Sequence, residues 1–253
     1  MTEIAALLSL LDDPDPSVQD VLAGRLAQDR ELLDRVWDEA SARGVPPPAL
    51  VGMALAAEAE SLVDLFGAAD DLEQGMWLLP RLHLPRRDWA GEGAPQLDAL
   101  AARLPDGCDG HDIARFLCGE CGFAGDTRDY LDPLNSYLPY VLERRLGLPI
   151  ALTALWVLIG RRKGLHLEAI ALPGHVVGRW RGGYIDLFAG GAAVTRGELE
   201  ARCLAAGAAG AGPYLAPASD RALLKRMARN LVGAYVQIGD RLRATIAHGL
   251  ASG

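Results

Sequence analysis

Apolar residues recur at helical spacing through the first eighty positions. Ile4, Leu7, Leu8 and Leu11 fall on one face of a 3.6-residue period, and the Asp-Pro-Asp-Pro run at 13–16 breaks that helix. Ser17, with Asp20 three residues on, reads as the cap of a second helix whose stripe is Val18, Val21, Leu22 and Leu26. A third carries Leu33, Val36, Trp37 and Ala40 and stops at Gly44. Pro46, Pro47 and Pro48 open a fourth, since proline is tolerated in a first turn whose amides have no helical acceptor; it holds Leu50, Met53, Ala54 and Ala57. A fifth is expected over about 70–83. The Pro-, Gly- and charge-rich text from Pro85 to Pro95 reads as a boundary loop, and a second loop runs through Pro105, Asp106, Gly107 and Gly110. Helical text resumes over 111–121. No fixed repeat period is visible.

The pattern changes in the middle of the chain. Residues 150–159 are apolar on every side, with Pro149 before them, Arg161, Arg162 and Lys163 at the end and Gly164 just beyond. Proline in the first turn, cations in the last and a closing glycine predict a helix; an apolar surface all round predicts that it is buried. Strand-like runs follow at 167–172, 175–180 and 184–188, the last two joined by a hairpin turn over Arg181, Gly182 and Gly183. Gly190, Gly191 and the glycine-alanine text at 205–212 read as loop. An amphipathic helix after Ser219 carries Leu223, Leu224, Met227, Leu231, Tyr235 and Ile238. The expected fold is α+β and mostly helical, with one central helix against a small antiparallel sheet. Three regions are expected: helical 1–90, a core over 91–215, and a helical 216–253.

Composition narrows the function. Half of the residues are apolar and 23% charged, ordinary for a globular chain. A net charge of −8 argues against nucleic acid, whose phosphates need clustered cations. No run approaches a membrane-spanning length, and the acidic start (Glu3, Asp12, Asp13) is unlike a signal peptide. Four cysteines without a secretory signal point to free thiols in the cytoplasm.

A helix, then a strand with His175, then a strand with Asp186, is the chain order of a Cys-His-Asp site, in which the acid fixes the imidazole tautomer. If Arg181-Gly182 is a two-residue turn, Trp180 faces Gly183. His175 and Asp186 are then diagonal neighbours on one sheet face; a three-residue turn would separate them.

The segments Gly122-Phe-Ala-Gly-Asp126, Asp132-Pro-Leu-Asn-Ser-Tyr-Leu138, Leu142-Glu-Arg-Arg-Leu-Gly-Leu-Pro-Ile150, Leu172-Pro-Gly-His175 and Tyr184-Ile-Asp186 resemble the SirB-type transglutaminase-like family. That resemblance implies a papain-like core after a helical region, and Asn230 to Asp240 resembles the first helix of a tetratricopeptide repeat. It also implies that His175 and Asp186 are the histidine and acid of the site, with the cysteine at the start of the central helix. Pro149, Ile150 and Ala151 stand there instead, and the cysteines are at 108, 118, 121 and 203. The expectation is therefore a pseudoenzyme, a regulatory or peptide-binding protein with a protein partner, no membrane or nucleic acid, and no cofactor. The alternative is a hydrolase or acyltransferase using His175 and Asp186 with a hydroxyl, from Ser136 or Thr153, or with water.

Other side chains have two readings. Asn135 orients His175 or a ligand, or closes its own loop. Ser136, Tyr137 and Ile150 are the expected binding contacts. Cys108, His111, Cys118 and Cys121 have the spacing of a zinc site, or are small core residues in a helix. Asp126, Asp129 and Asp132 lack a calcium-loop pattern and read as loop caps.

Overall fold

The computed structural model describes residues 3–11, 13–181 and 183–253. Asp12, one of the acidic residues near the amino terminus, and Gly182, part of the expected turn, lie outside the described residues. Helices α1 (Glu3–Leu10), α2 (Pro16–Gln28), α3 (Arg30–Arg43) and α4 (Pro48–Gly67) form where the stripes place them. The cap of α2 is Asp15 rather than Ser17: its carboxylate accepts the Ser17 N–H at 2.9 Å, and Pro16 occupies the first turn. Leu7, Leu22, Leu26, Leu33, Val36, Leu50 and Ala54 make one apolar cluster. Leu55, Leu62 and Phe66, farther along α4, belong to a second and larger cluster that reaches to Leu250.

Helix α5 (Leu72–Leu78) tightens into a 3-10 turn over Leu79–Leu82, at Pro80, where the expected helix was continuous. Helix α6 (Trp89–Ala102) takes most of the stretch expected to be a loop, with Pro95 inside it. The Asp88 carboxylate caps it through the Gly91 N–H at 2.9 Å. Burial of Trp89, Leu97, Leu100 and Ala101 outweighs the backbone bond that proline removes. Helix α7 (Gly110–Arg115) runs into a wide turn over Phe116–Glu120, in which the Cys121 N–H reaches Phe116 O.

Strands β1 (Ala124–Gly125) and β2 (Leu146–Gly147) form a short parallel pair, with α8 (Leu138–Arg144) between them in the chain. Helix α9 (Pro149–Arg162) follows, and every residue from Pro149 to Gly160 is buried. It packs on a four-stranded antiparallel sheet of β3 (Glu168–Leu172), β4 (His175–Trp180), β5 (Gly183–Asp186) and β6 (Ala192–Val194), in that order. The approach is close because β4 carries Gly178, where a Cβ would come within 2.7 Å of the Trp156 ring of α9. The central helix on a small sheet is as expected. Strand β6 and helix α10 (Arg196–Ala205) are additions to it. The single closing helix is two, α11 (Asp220–Gln237) and α12 (Arg241–Ser252), parted at Gly239 with φ +77° and capped by Asp240. Among the described residues no helix is long and apolar enough to cross a membrane.

Candidate functional site

Trp180 pairs with Gly183, so two residues separate β4 from β5, and Arg181 takes the left-handed φ of +47° that such a turn needs. That register puts His175 and Asp186 on one face, with His175 Nε2 at 3.0 Å from Asp186 Oδ2. An ionised carboxylate only accepts, so Nε2 is the donor; the tautomer this selects for a neutral ring has its lone pair on Nδ1. No described residue hydrogen-bonds Nδ1.

Asp186 is 1% exposed and its oxygens are fully engaged. Oδ2 also accepts from Arg202 Nη1 at 2.6 Å, and Oδ1 accepts the backbone N–H groups of Phe188 and Ala189, each at 3.1 Å. Burial alone would raise its pKa; the hydrogen bonds from His175 and Arg202 outweigh burial and hold it at about 2. Because this value lies below the ordinary 3.8, the pair contributes stability above about pH 4 that is lost as pH falls toward 2. A contribution of about 2 kcal/mol is expected. Thermal melts between pH 6 and pH 2 should show a steep acid limb that Asp186→Asn flattens; an unchanged limb would mean that the carboxylate is not held this way.

The His175 ring meets Phe188 edge-on at 6.0 Å, and Phe188 meets Tyr130 in the same manner at 6.0 Å. Gly125 lies under the Phe188 ring, where a Cβ would come within 2.4 Å, and its N–H donates to Phe188 O at 3.2 Å. The Asp126 N–H in turn donates to Gly147 O, so the rings are fastened to the β1–β2 pair that leads into α9. Pro149, Ile150 and Ala151 occupy the start of that helix, so no sulfur stands there.

All four cysteines are free, and none hydrogen-bonds the His175 ring. The Cys118 thiol points to Leu187 O at 3.7 Å; burial, followed by the Asp186 charge, pushes its pKa up to about 11, so it is a thiol and a poor nucleophile. Cys121 Sγ instead accepts from Arg103 at 3.5 Å, and Cys108 is buried. The zinc spacing of Cys108, His111, Cys118 and Cys121 is thus not a zinc geometry. The wide turn after α7 sends the sulfurs to different partners, and no three metal-binding side chains group together among the described residues.

Of the two readings of Asn135, the structure shows the loop-closing one. Asn135 does not reach His175; its Nδ2 donates to Asp129 O at 2.7 Å and closes its own loop. Arg144 of α8 clamps that loop, at 2.7 Å from Asp132 and 3.4 Å from Asp126. Ser136, Tyr137 and Ile150 are 2, 0 and 2% exposed, so they support the site from within rather than touch a ligand. Tyr137 spends its hydroxyl on that of Tyr235, 2.5 Å away on α11. Thr153 is fully buried and donates to Val176 O at 3.4 Å, which removes it as a nucleophile. Arg202 and the helix that carries it were not expected from the sequence; the signal that could have marked that helix is the capping box of Thr195 and Glu198 at its start.

A buried helix on a sheet that carries a histidine-carboxylate pair is the arrangement expected of a transglutaminase-like domain. A family model described as the transglutaminase-like superfamily matches residues 94–229, and the chain belongs to that superfamily. It is 35% identical over 133 residues to a UPF0162 protein of Xylella fastidiosa, covering 49% of this chain and 47% of that protein. A UPF0162 protein of Vibrio cholerae is 37% identical over 59 residues, 23% of this chain and 22% of its own length. Human F-box only protein 21 is 35% identical over 96 residues, 33% of this chain and 15% of that protein. The match to the Xylella protein spans about half of its length. No solved structure matches the chain.

Proposed function

We propose that this is a non-catalytic transglutaminase-like protein of the SirB type, acting in regulation by binding a protein or peptide in its degenerate cleft. One observation carries the reading. The histidine-carboxylate pair is complete, yet no thiol hydrogen-bonds the ring and Pro149, Ile150 and Ala151 fill the nucleophile's place. Losing a nucleophile removes most of a covalent rate, whereas a groove that holds an extended chain survives it. The free thiols support a reducing, cytoplasmic setting.

A second reading draws on the care with which Asp186 is held. Four donors on one buried carboxylate, and a free Nδ1, are what an imidazole base for water would need. His175→Ala separates the two. Under the binding reading the variant folds, and purified protein treated with ester, amide and acyl-transfer substrates gives the same background with or without the imidazole. Turnover by the wild type that disappears in His175→Ala, or specific labelling of Ser136 by a hydrolase probe, would establish the enzyme instead.

A further inference from the structure

Half-buried arginines in this fold have partners. Among the described residues, Arg81 and Arg86 share Glu58, Arg144 holds Asp126 and Asp132, Arg162 holds Glu73 and Asp98, and Arg179, Arg202 and Arg243 each hold a carboxylate. Arg145 and Arg221 lie over phenylalanine rings. Arg226 of α11 has neither. Of its five donors, one is used, by Nη2 to the backbone carbonyl of His175 at 3.1 Å.

We infer that Arg226 is a carboxylate-binding subsite beside His175, taking an acidic side chain or the terminal carboxylate of a bound peptide. A partly desolvated guanidinium with no counter-charge is costly to maintain, and a ligand carboxylate offers it two parallel hydrogen bonds. The surroundings agree. Exposed Arg229, one turn along α11, adds positive charge, and Tyr130 lies within electrostatic range of Arg226. Tyr130 leads through Phe188 to the His175 ring, an aromatic shelf for an apolar residue next to the acidic one. Burial lowers the pKa of Arg226, as expected of a cation held in readiness for an anion.

This subsite rests on the cleft being a binding site, as proposed above, and its test fails separately. Three acetylated tetrapeptides serve as probes: Gly-Phe-Gly-Gly with a free terminus, Gly-Phe-Glu-Gly amidated, and neutral Gly-Phe-Gln-Gly amidated. Calorimetric titration into the full chain should show at least one acidic peptide binding about tenfold or more tightly than the neutral one. The stronger of the two acidic peptides identifies the source of the carboxylate. Arg226→Gln should erase the preference while leaving the melting temperature unchanged or higher, because it removes a half-buried charge that no carboxylate offsets. Absence of a preference, from equal binding or from none, overturns the subsite, as does a preference that survives Arg226→Gln. A large fall in melting temperature would make Arg226 structural and overturn it too. Cleavage or transfer of the peptides with the preference intact would remove the non-catalytic reading and leave the subsite standing.

Discussion

Replacing Trp156 with alanine should destabilise the protein by about 4 kcal/mol, the largest loss expected from one substitution. Trp156 is fully buried on α9, between α7 and the sheet. Its ring lies on Gly178, and its indole N–H donates to Gly110 O at 2.8 Å. Alanine leaves a cavity with rigid walls, because α9 is packed on every side and cannot collapse into it. It also removes the indole N–H that Gly110 O accepts. Trp156→Phe keeps much of the packing and loses the hydrogen bond, so it should cost about 1–2 kcal/mol. Chemical denaturation should show the midpoint falling in that order at a constant slope. Equal losses for both variants would assign the effect to the hydrogen bond; a loss under 1 kcal/mol for alanine would contradict the packing described.

Asp186→Ala is expected to cost about 3 kcal/mol, because four donors lose their acceptor at once. Arg202 is 40% exposed on its side chain and can turn to water; the N–H groups of Phe188 and Ala189 are held by the turn. Arg202→Ala should therefore cost less than Asp186→Ala, and the double variant should cost less than the sum. The same cycle with His175→Ala measures the imidazole-carboxylate coupling. Strict additivity across both cycles would mean that the carboxylate does not organise the site.

The parts of this arrangement that were legible in sequence are those with a local signature. The apolar residues of α9 mark a buried helix, and two residues between Trp180 and Gly183 suffice to bring His175 diagonally beside Asp186 on one face. Helix α6 was obscured because Pro95 and its glycines mimic loop text, while the burial that outweighs them depends on elements distant in the chain. Strand β6 has three residues, too few for a period. Burial of Ser136 and Tyr137 was hidden for a similar reason. Only folding shows that α11 covers them, with Tyr235 meeting Tyr137 across nearly a hundred residues of chain. Arg226 lies on a helix whose polar face looks ordinary until it is seen to have neither the carboxylate nor the aromatic ring that each other half-buried arginine among the described residues has.

Helix α4 is unbroken from Pro48 to Gly67, while Ala54 and Leu55 fall in different apolar masses. A single spine therefore runs through both, cross-braced midway by Glu58, which Arg81 and Arg86 grip from beyond α5. The leading four-helix lobe cannot swivel on the rest without bending a helix and opening that brace. Whatever load the lobe takes from outside is delivered to the body as torque on a stiff rod rather than absorbed at a hinge.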